Sequence, residues 1–335
     1  MKRQHVPRVA LVLAGLTLTI SFLTTASAAP GDSAEVYLSK GGMALKSHQY
    51  DKAIENLSAA LRIDSVNVTA LRNLGAAYAA KGNNPQARVY LEKANQLKPN
   101  DPEICNNLGV IFSNLDNPSE AIRYFEAAVA ADSTSAMFLT SLGNEHLKIG
   151  RVQKALPILQ KAHKLAPTNP IPAFSIGSCF AADKKYDSAA VYYERSILAG
   201  GKTPELFYFL GIAKRQLGDF EAAEKNYKLA VEQNPNYKEC LQALGLLSAQ
   251  REKYVAAQAY FEKVIALDSL FYPAWISLGA TSWLTNQFAR ADTILYNLLQ
   301  KDSTLGYQML RLIEMEKRKR DNRQAVDSAA KATKK

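Results

Sequence analysis

Residues 68–101 read VTALRNLGAAYAAKGNNPQARVYLEKANQLKPND, and this stretch decides the fold. Leu71, Leu74, Gly75 and Tyr78 sit at helical spacing and define one apolar face. Gly82 and Asn83 interrupt the pattern; Ala87, Leu91, Ala94 and Leu97 resume it, and Pro99 ends it. The spacing predicts two antiparallel helices of about four and three turns joined by a tight turn.

The same pattern recurs at a constant period from Ala34 to Leu305, in units starting at 34, 68, 102, 136, 170, 204, 238 and 272. Glycine recurs at Gly41, Gly75, Gly109, Gly143, Gly177, Gly211, Gly245 and Gly279. Twelve residues after each stands an alanine, from Ala53 and Ala87 through to Ala291. Sixteen residues after it stands a bulky group: Leu57, Leu91, Phe125, Leu159, Tyr193, Tyr227, Phe261 and Leu295. A glycine in mid-helix costs up to about 1 kcal/mol relative to alanine, so eight in register point to backbones that must approach closely. One hairpin cannot bury its own apolar face, so neighbouring hairpins stack, and contacts stay between neighbours. The expected fold is all-α: a solenoid of eight helix-turn-helix repeats, with no domain boundary between 34 and 305.

These residues resemble the tetratricopeptide repeat (TPR) family, whose pattern is W-x2-L-G-x2-Y…A-x3-F…P. Leu71, Leu74, Gly75, Tyr78, Ala87, Leu91, Ala94 and Pro99 match it, as do Leu241, Leu244, Gly245, Ala257 and Phe261, and Trp275, Leu278 and Gly279. The aromatic that often opens the second helix appears as Tyr50, Tyr186, Phe220, Tyr254 and Phe288. Pro118, Lys184 and Gly201 depart from the pattern at the opening aromatic, the loop glycine and the terminal proline. The resemblance implies a right-handed superhelix whose concave face is lined by the first helix of each repeat. For function it implies a binding role and no particular partner.

Both flanks read differently. In residues 1–29, Lys2, Arg3 and Arg8 precede an apolar run from Val9 to Leu23 and then Ala26-Ser27-Ala28. That is the layout of a secretory signal peptide, cleaved after Ala28 or Ala29. An uncleaved anchor is the alternative, though the run is short of the roughly 20 apolar residues a span needs. The expected location is therefore an exported one, a bacterial periplasm. At the other end, residues 306–321 carry Tyr307, Met309, Leu310, Leu312, Ile313 and Met315 on an amphipathic helix, expected to cap the last repeat. Residues 322–335 are expected to be a disordered basic tail.

Composition narrows the chemistry. The net charge is +10, but three positive charges lie in the leader and residues 311–335 hold nine Lys or Arg against four acids. The repeat body is nearly neutral, so any attraction to an anionic surface belongs to the tail. No interleaved basic and aromatic pattern argues for nucleic acid. The three cysteines, Cys105, Cys179 and Cys240, fall in repeats that are not neighbours, so no internal disulfide is expected. No metal-binding, nucleophile or phosphate-loop spacing appears, which argues against an enzyme and against any cofactor or metal.

The helix geometry of the resemblance then places candidate binding residues on the concave face, at six, three and two residues before each glycine and at one, four and five after it. A polar group comprises Arg72, Asn73, Asn106, Asn107 and Asn144; an aromatic-rich group comprises Phe174, Tyr208, Phe209, Ile212, Arg215, Leu246 and Trp283. Asn73 and Asn107 share a column, where an amide can pair with a peptide backbone whatever its side chains; Ser141 and Ser175 end that ladder. The reading is an adaptor that grips an extended segment of another envelope protein. The alternatives are a self-associating assembly factor and a solenoid that holds a glycan or wall polymer.

Overall fold

A computed structural model describes residues 33–332; the expected leader at 1–29 and the last three residues lie outside the described residues. The described residues form seventeen α-helices and no strand. Sixteen of them pair as hairpins, from α1 (Ala34–Lys46) and α2 (Tyr50–Ile63) to α15 (Tyr272–Leu284) and α16 (Phe288–Lys301), followed by α17 (Ser303–Ala332). The first helices have one common length, as in α5 (Pro102–Asn114), α7 (Ala136–Lys148), α9 (Pro170–Ala182), α11 (Pro204–Gln216) and α13 (Lys238–Gln250).

Helix starts are written in the column eight residues before each repeat glycine. Ser33, Asn67, Asp101, Ser135, Asn169 and Thr203 occupy it in the first six repeats, and each side chain accepts a hydrogen bond from a first-turn N–H. That satisfies donors the helix itself leaves open. In the seventh and eighth repeats Tyr237 and Phe271 stand there and make no such bond. The turn inside each hairpin is equally regular. His48, Gly82, Asp116, Gly150, Lys184, Gly218, Glu252 and Asn286 fall one period apart and all hold φ between 55° and 82°. Only three are glycine, so the stacked helices impose the left-handed turn on Lys184 and Glu252 against their own preference.

The glycine column has a steric cause. A Cβ on Gly109 would lie 2.5 Å from the Phe125 ring, one on Gly177 2.7 Å from Tyr193, and one on Gly211 2.6 Å from Tyr227. In each of these repeats the bulky residue sixteen places on presses into the gap left by the missing side chain. Tyr193, Tyr227 and Phe261 are fully buried this way. The eighth repeat differs: Gly279 is faced by Ile294 and by Met309 from α17. The last helix therefore supplies the knob that the second helix supplies elsewhere.

The described residues form two compact units that divide between Tyr90 and Leu91, where the sequence shows one unbroken period. A solenoid has no single core, because each repeat is sealed only by its neighbours, so an even period does not guarantee even cohesion. In the first unit Ala53, Leu57, Leu74 and Ala77 form the core, and Tyr78 stacks on Tyr90 with ring centroids 5.6 Å apart. In the second unit α5 touches α7, α7 touches α9, α9 touches α11 and α13 touches α15, whereas no comparable contact joins successive second helices among the described residues. The first helices thus lie on the tighter side of that unit's bend.

The C-terminal boundary is a correction. α17 begins at Ser303 and continues to Ala332, so residues 322–332 prolong the helix expected to stop at 321. After Gly306 the segment contains neither Gly nor Pro, and nothing in it stops a helix once the first turns are docked. Leu312 and Ile313 lie one full period beyond Leu278 and Gly279, so α17 takes the place of a ninth first helix and runs on without a turn as far as Ala332.

Candidate functional site

Two surfaces on the inner helices of the second unit carry chemistry. The first is polar. Glu145 on α7 is buried at a position where the other repeats from the second to the eighth place Ala77, Ile111, Cys179, Ala213, Leu247 and Thr281. Its Oε2 accepts a 2.5 Å hydrogen bond from the Ser113 hydroxyl of α5. Lys148 in turn donates to the Ser113 carbonyl at 2.7 Å and to the Ser113 hydroxyl oxygen at 3.0 Å. A buried carboxylate is costly without such a network. The other oxygen, Oε1, has no partner, and neither has the buried Oδ1 of Asn106.

The second surface is aromatic. Phe174 and Phe209 bring their ring centroids to 5.9 Å, and both pack on Tyr193, at 5.7 and 6.3 Å. Tyr208 packs on Phe209, Tyr227 and Tyr237 at 5.4, 6.0 and 5.1 Å. The same unit holds a cavity of about 550 Å³, whose walls include Arg215, Leu246, Gln250, Ser277 and Leu284, with Leu312 and Lys319 of α17. The Arg215 guanidinium donates to the Gln250 amide oxygen at 3.3 Å, a contact with a neutral group.

The expected site residues divide accordingly. Arg215 and Leu246 meet at the cavity, and Phe174, Tyr208 and Phe209 meet in the ring cluster. Asn107, Asn144 and Ile212 are half-buried on the inner helices, and Arg72 and Asn73 are half-buried on α3 (Val68–Ala80) of the first unit. The column three residues before the glycine is not an open face. Asn106 is buried, as are Thr140, Gln242 and Ile276 in the same column, and Tyr208 spends most of its ring on neighbours. That column lies in the seam between successive first helices, where Gln242 donates to Ser277 across to α15 at 3.1 Å. Trp283 is half-buried against Phe288, with centroids 6.0 Å apart. Sequence reasoning placed α17 only as a cap on the last repeat and did not assign Leu312 and Lys319 to the cavity wall. It could have found Glu145, the one acid in an otherwise uncharged column.

Groups with catalytic potential are withdrawn from solvent. Burial pushes the thiols of Cys105, Cys179 and Cys240 up, to about 11 for Cys179 and about 12 for Cys240, so they stay protonated at neutral pH. Among the described residues no cluster of His, Cys, Asp or Glu could hold a metal ion. His146 is held below its ordinary value of 6.5, first by burial and then by the charges of Lys154 and Arg151. The unfolded chain therefore takes up the proton first. The stability contribution is complete above that ordinary value and is lost as pH falls toward the folded value. His146→Phe, matching Phe112 and Phe180 in the same column, is expected to flatten that acid-side loss. Denaturation midpoints at about pH 7.5 and about pH 5.5 would check it, an unchanged pH dependence counting against the assignment.

With this geometry in place, comparison with known proteins is direct. Profiles described as tetratricopeptide repeat match residues 69–101, 106–170, 140–205 and 204–237, and one described as TPR repeat matches 45–82. The chain belongs to the tetratricopeptide repeat family. It is 24% identical over 204 residues to the human protein O-mannosyl-transferase TMTC1, covering 59% of this chain and 23% of that one. It is 22% identical over 267 residues to the BBSome complex member BBS4 of Bos taurus, covering 77% and 51%. The chain thus spans about half or less of the length of these relatives. Among solved structures, the APC/C hetero-tetramer Cut9–Hcn1 matches with a TM-score of 0.67 and 17% identity over 75% of this chain and 49% of that one. PilW, a type IV pilus biogenesis factor, matches with a TM-score of 0.57 and 21% identity over 63% and 97%. These likenesses show the fold. TPR repeats generally serve as scaffolds that bind other proteins.

Proposed function

We propose that this protein is a non-enzymatic adaptor that holds an extended segment of another protein against the inner helices of its second unit. The carrying observation is that Phe209, in the ring cluster on α11, and Leu246, at the cavity on α13, are each 36% exposed. Exposed apolar groups beside a recess favour contact with a partner. Polar hydrogen-bonding groups at Asn107, Asn144 and Lys148 would pair with the segment's backbone further along the same face. A glycan would need open ring faces for stacking, and the packing of Tyr208 on three other rings argues for protein contact instead. We place this role in a bacterial periplasm on the strength of the signal-like residues 1–29.

The test is affinity capture from the protein's own envelope extract, comparing the native form with a Phe209→Ala/Leu246→Glu variant. Proteins retained by the native form and lost by the variant would support the reading and name the partner. Identical capture by both, with the variant folded by circular dichroism, would overturn the groove assignment.

A further inference from the structure

The outer face of α17 carries a pattern that the groove does not use. Met309, Leu312, Ile313 and Glu316 lie on the side of α17 turned toward α15, α16 and the cavity. At 100° per residue the opposite side presents Tyr307, Leu310, Arg311, Glu314, Met315 and Arg318. All six are exposed, with Tyr307 at 65%, Met315 at 48% and Leu310 at 37%. Among the described residues nothing pairs with Arg311, Glu314 or Arg318. The position of Met315 is buried in every first helix from α3 to α15 and is open only in the first and last, at Met43 of α1 and at Met315.

These six residues are complementary to themselves. Laid antiparallel against its own copy, with a two-fold axis passing between positions 312 and 313, α17 sets Tyr307 against Arg318 and Arg311 against Glu314, because each pair shares that midpoint and lies within about 30° of the middle of the face. Leu310 and Met315 stand on opposite edges of the same face and flank the seam with apolar surface. The pairs are of two kinds: a cation over an aromatic ring and an ion pair. An isologous interface requires this reciprocity, in which each residue meets its counterpart twice. The neighbouring helix α16 also exposes an apolar group at this end. Seventeen residues after the glycine the first seven repeats carry Ser58, Glu92, Glu126, Gln160, Glu194, Lys228 and Glu262, all polar. The eighth carries Tyr296, 63% exposed.

We propose that α17 is a homodimerisation helix, which pairs antiparallel with α17 of a second copy through Tyr307, Leu310, Arg311, Glu314, Met315 and Arg318. This does not rest on the groove reading, since the groove uses the other side of the helix.

Sedimentation velocity of the purified protein from about 1 µM to about 1 mM is expected to show a reversible dimer that weakens with added salt. Arg311→Glu is expected to weaken it about tenfold or more, because two like-charged pairs replace two ion pairs. Adding Glu314→Arg to the same chain exchanges the charges and is expected to restore the dimer. Every substituted residue is exposed, and circular dichroism checks that the helix content is kept. A protein that stays monomeric throughout this range would overturn the proposal. So would a dimer indifferent to Arg311→Glu, or one that the charge exchange fails to restore.

Discussion

Replacing Phe261 with alanine is expected to destabilise the array around α13 to α15 by about 3–5 kcal/mol, the range for emptying a buried aromatic site. Phe261 is fully buried, packs with Leu241, Val264 and Leu278, and its ring edge occupies the space a Cβ on Gly245 would need. The glycine and the ring form one steric unit, so the substitution has a diagnostic companion. Gly245→Ala alone should cost about 1–3 kcal/mol through overpacking, despite the better helix propensity of alanine. In the Phe261→Ala background the ring is gone and only the propensity remains. There Gly245→Ala should turn neutral or stabilising. Denaturant titration of the four proteins checks the change of sign, and simple additivity would refute the steric account of the column.

Met309→Ala should have the second large effect, about 2–5 kcal/mol, confined to the C-terminal end. Met309 is almost fully buried and lies over Gly279, where the other repeats place the bulky residue of their own second helix. Its loss leaves an unfilled hole where α17 docks on α15 and α16. Because a solenoid is stabilised neighbour by neighbour, the damage should stay local. Amide exchange should speed up in α15 to α17 and remain unchanged in α5 to α9. Uniform acceleration across the second unit would mean that Met309 acts otherwise.

These expectations separate what repetition makes legible from what it hides. The hairpins and their glycine–bulky pairs could be read from the chain, because a constant period repeats each local environment eight times. The site was legible only in part. The columns of the first helices name Phe174, Tyr208 and Phe209 as an aromatic-rich group, with Arg215 and Leu246 as separate positions on the same face; which of them meet is a matter of packing. The sequence did not separate the columns that face solvent from those that face the next first helix. Asn106 and Tyr208 fell on the wrong side of that division, because a seam between helices is made by the angle at which they stack, which no single helix encodes.

The sequence by itself determined an all-α array of eight hairpins, the small residue that lets each pair close, and the absence of catalytic spacing, since each is a property of local pattern. Only the tertiary structure decided that Glu145 is buried beneath Ser113, that the seam column is closed, and that α17 walls the cavity with Leu312 and Lys319. It alone left Tyr307, Leu310 and Met315 open on the far side of that helix. The physical reason is that burial belongs to a residue's neighbours in space. Inside the array the period names those neighbours; at its last helix the period stops, and only the packing can name them.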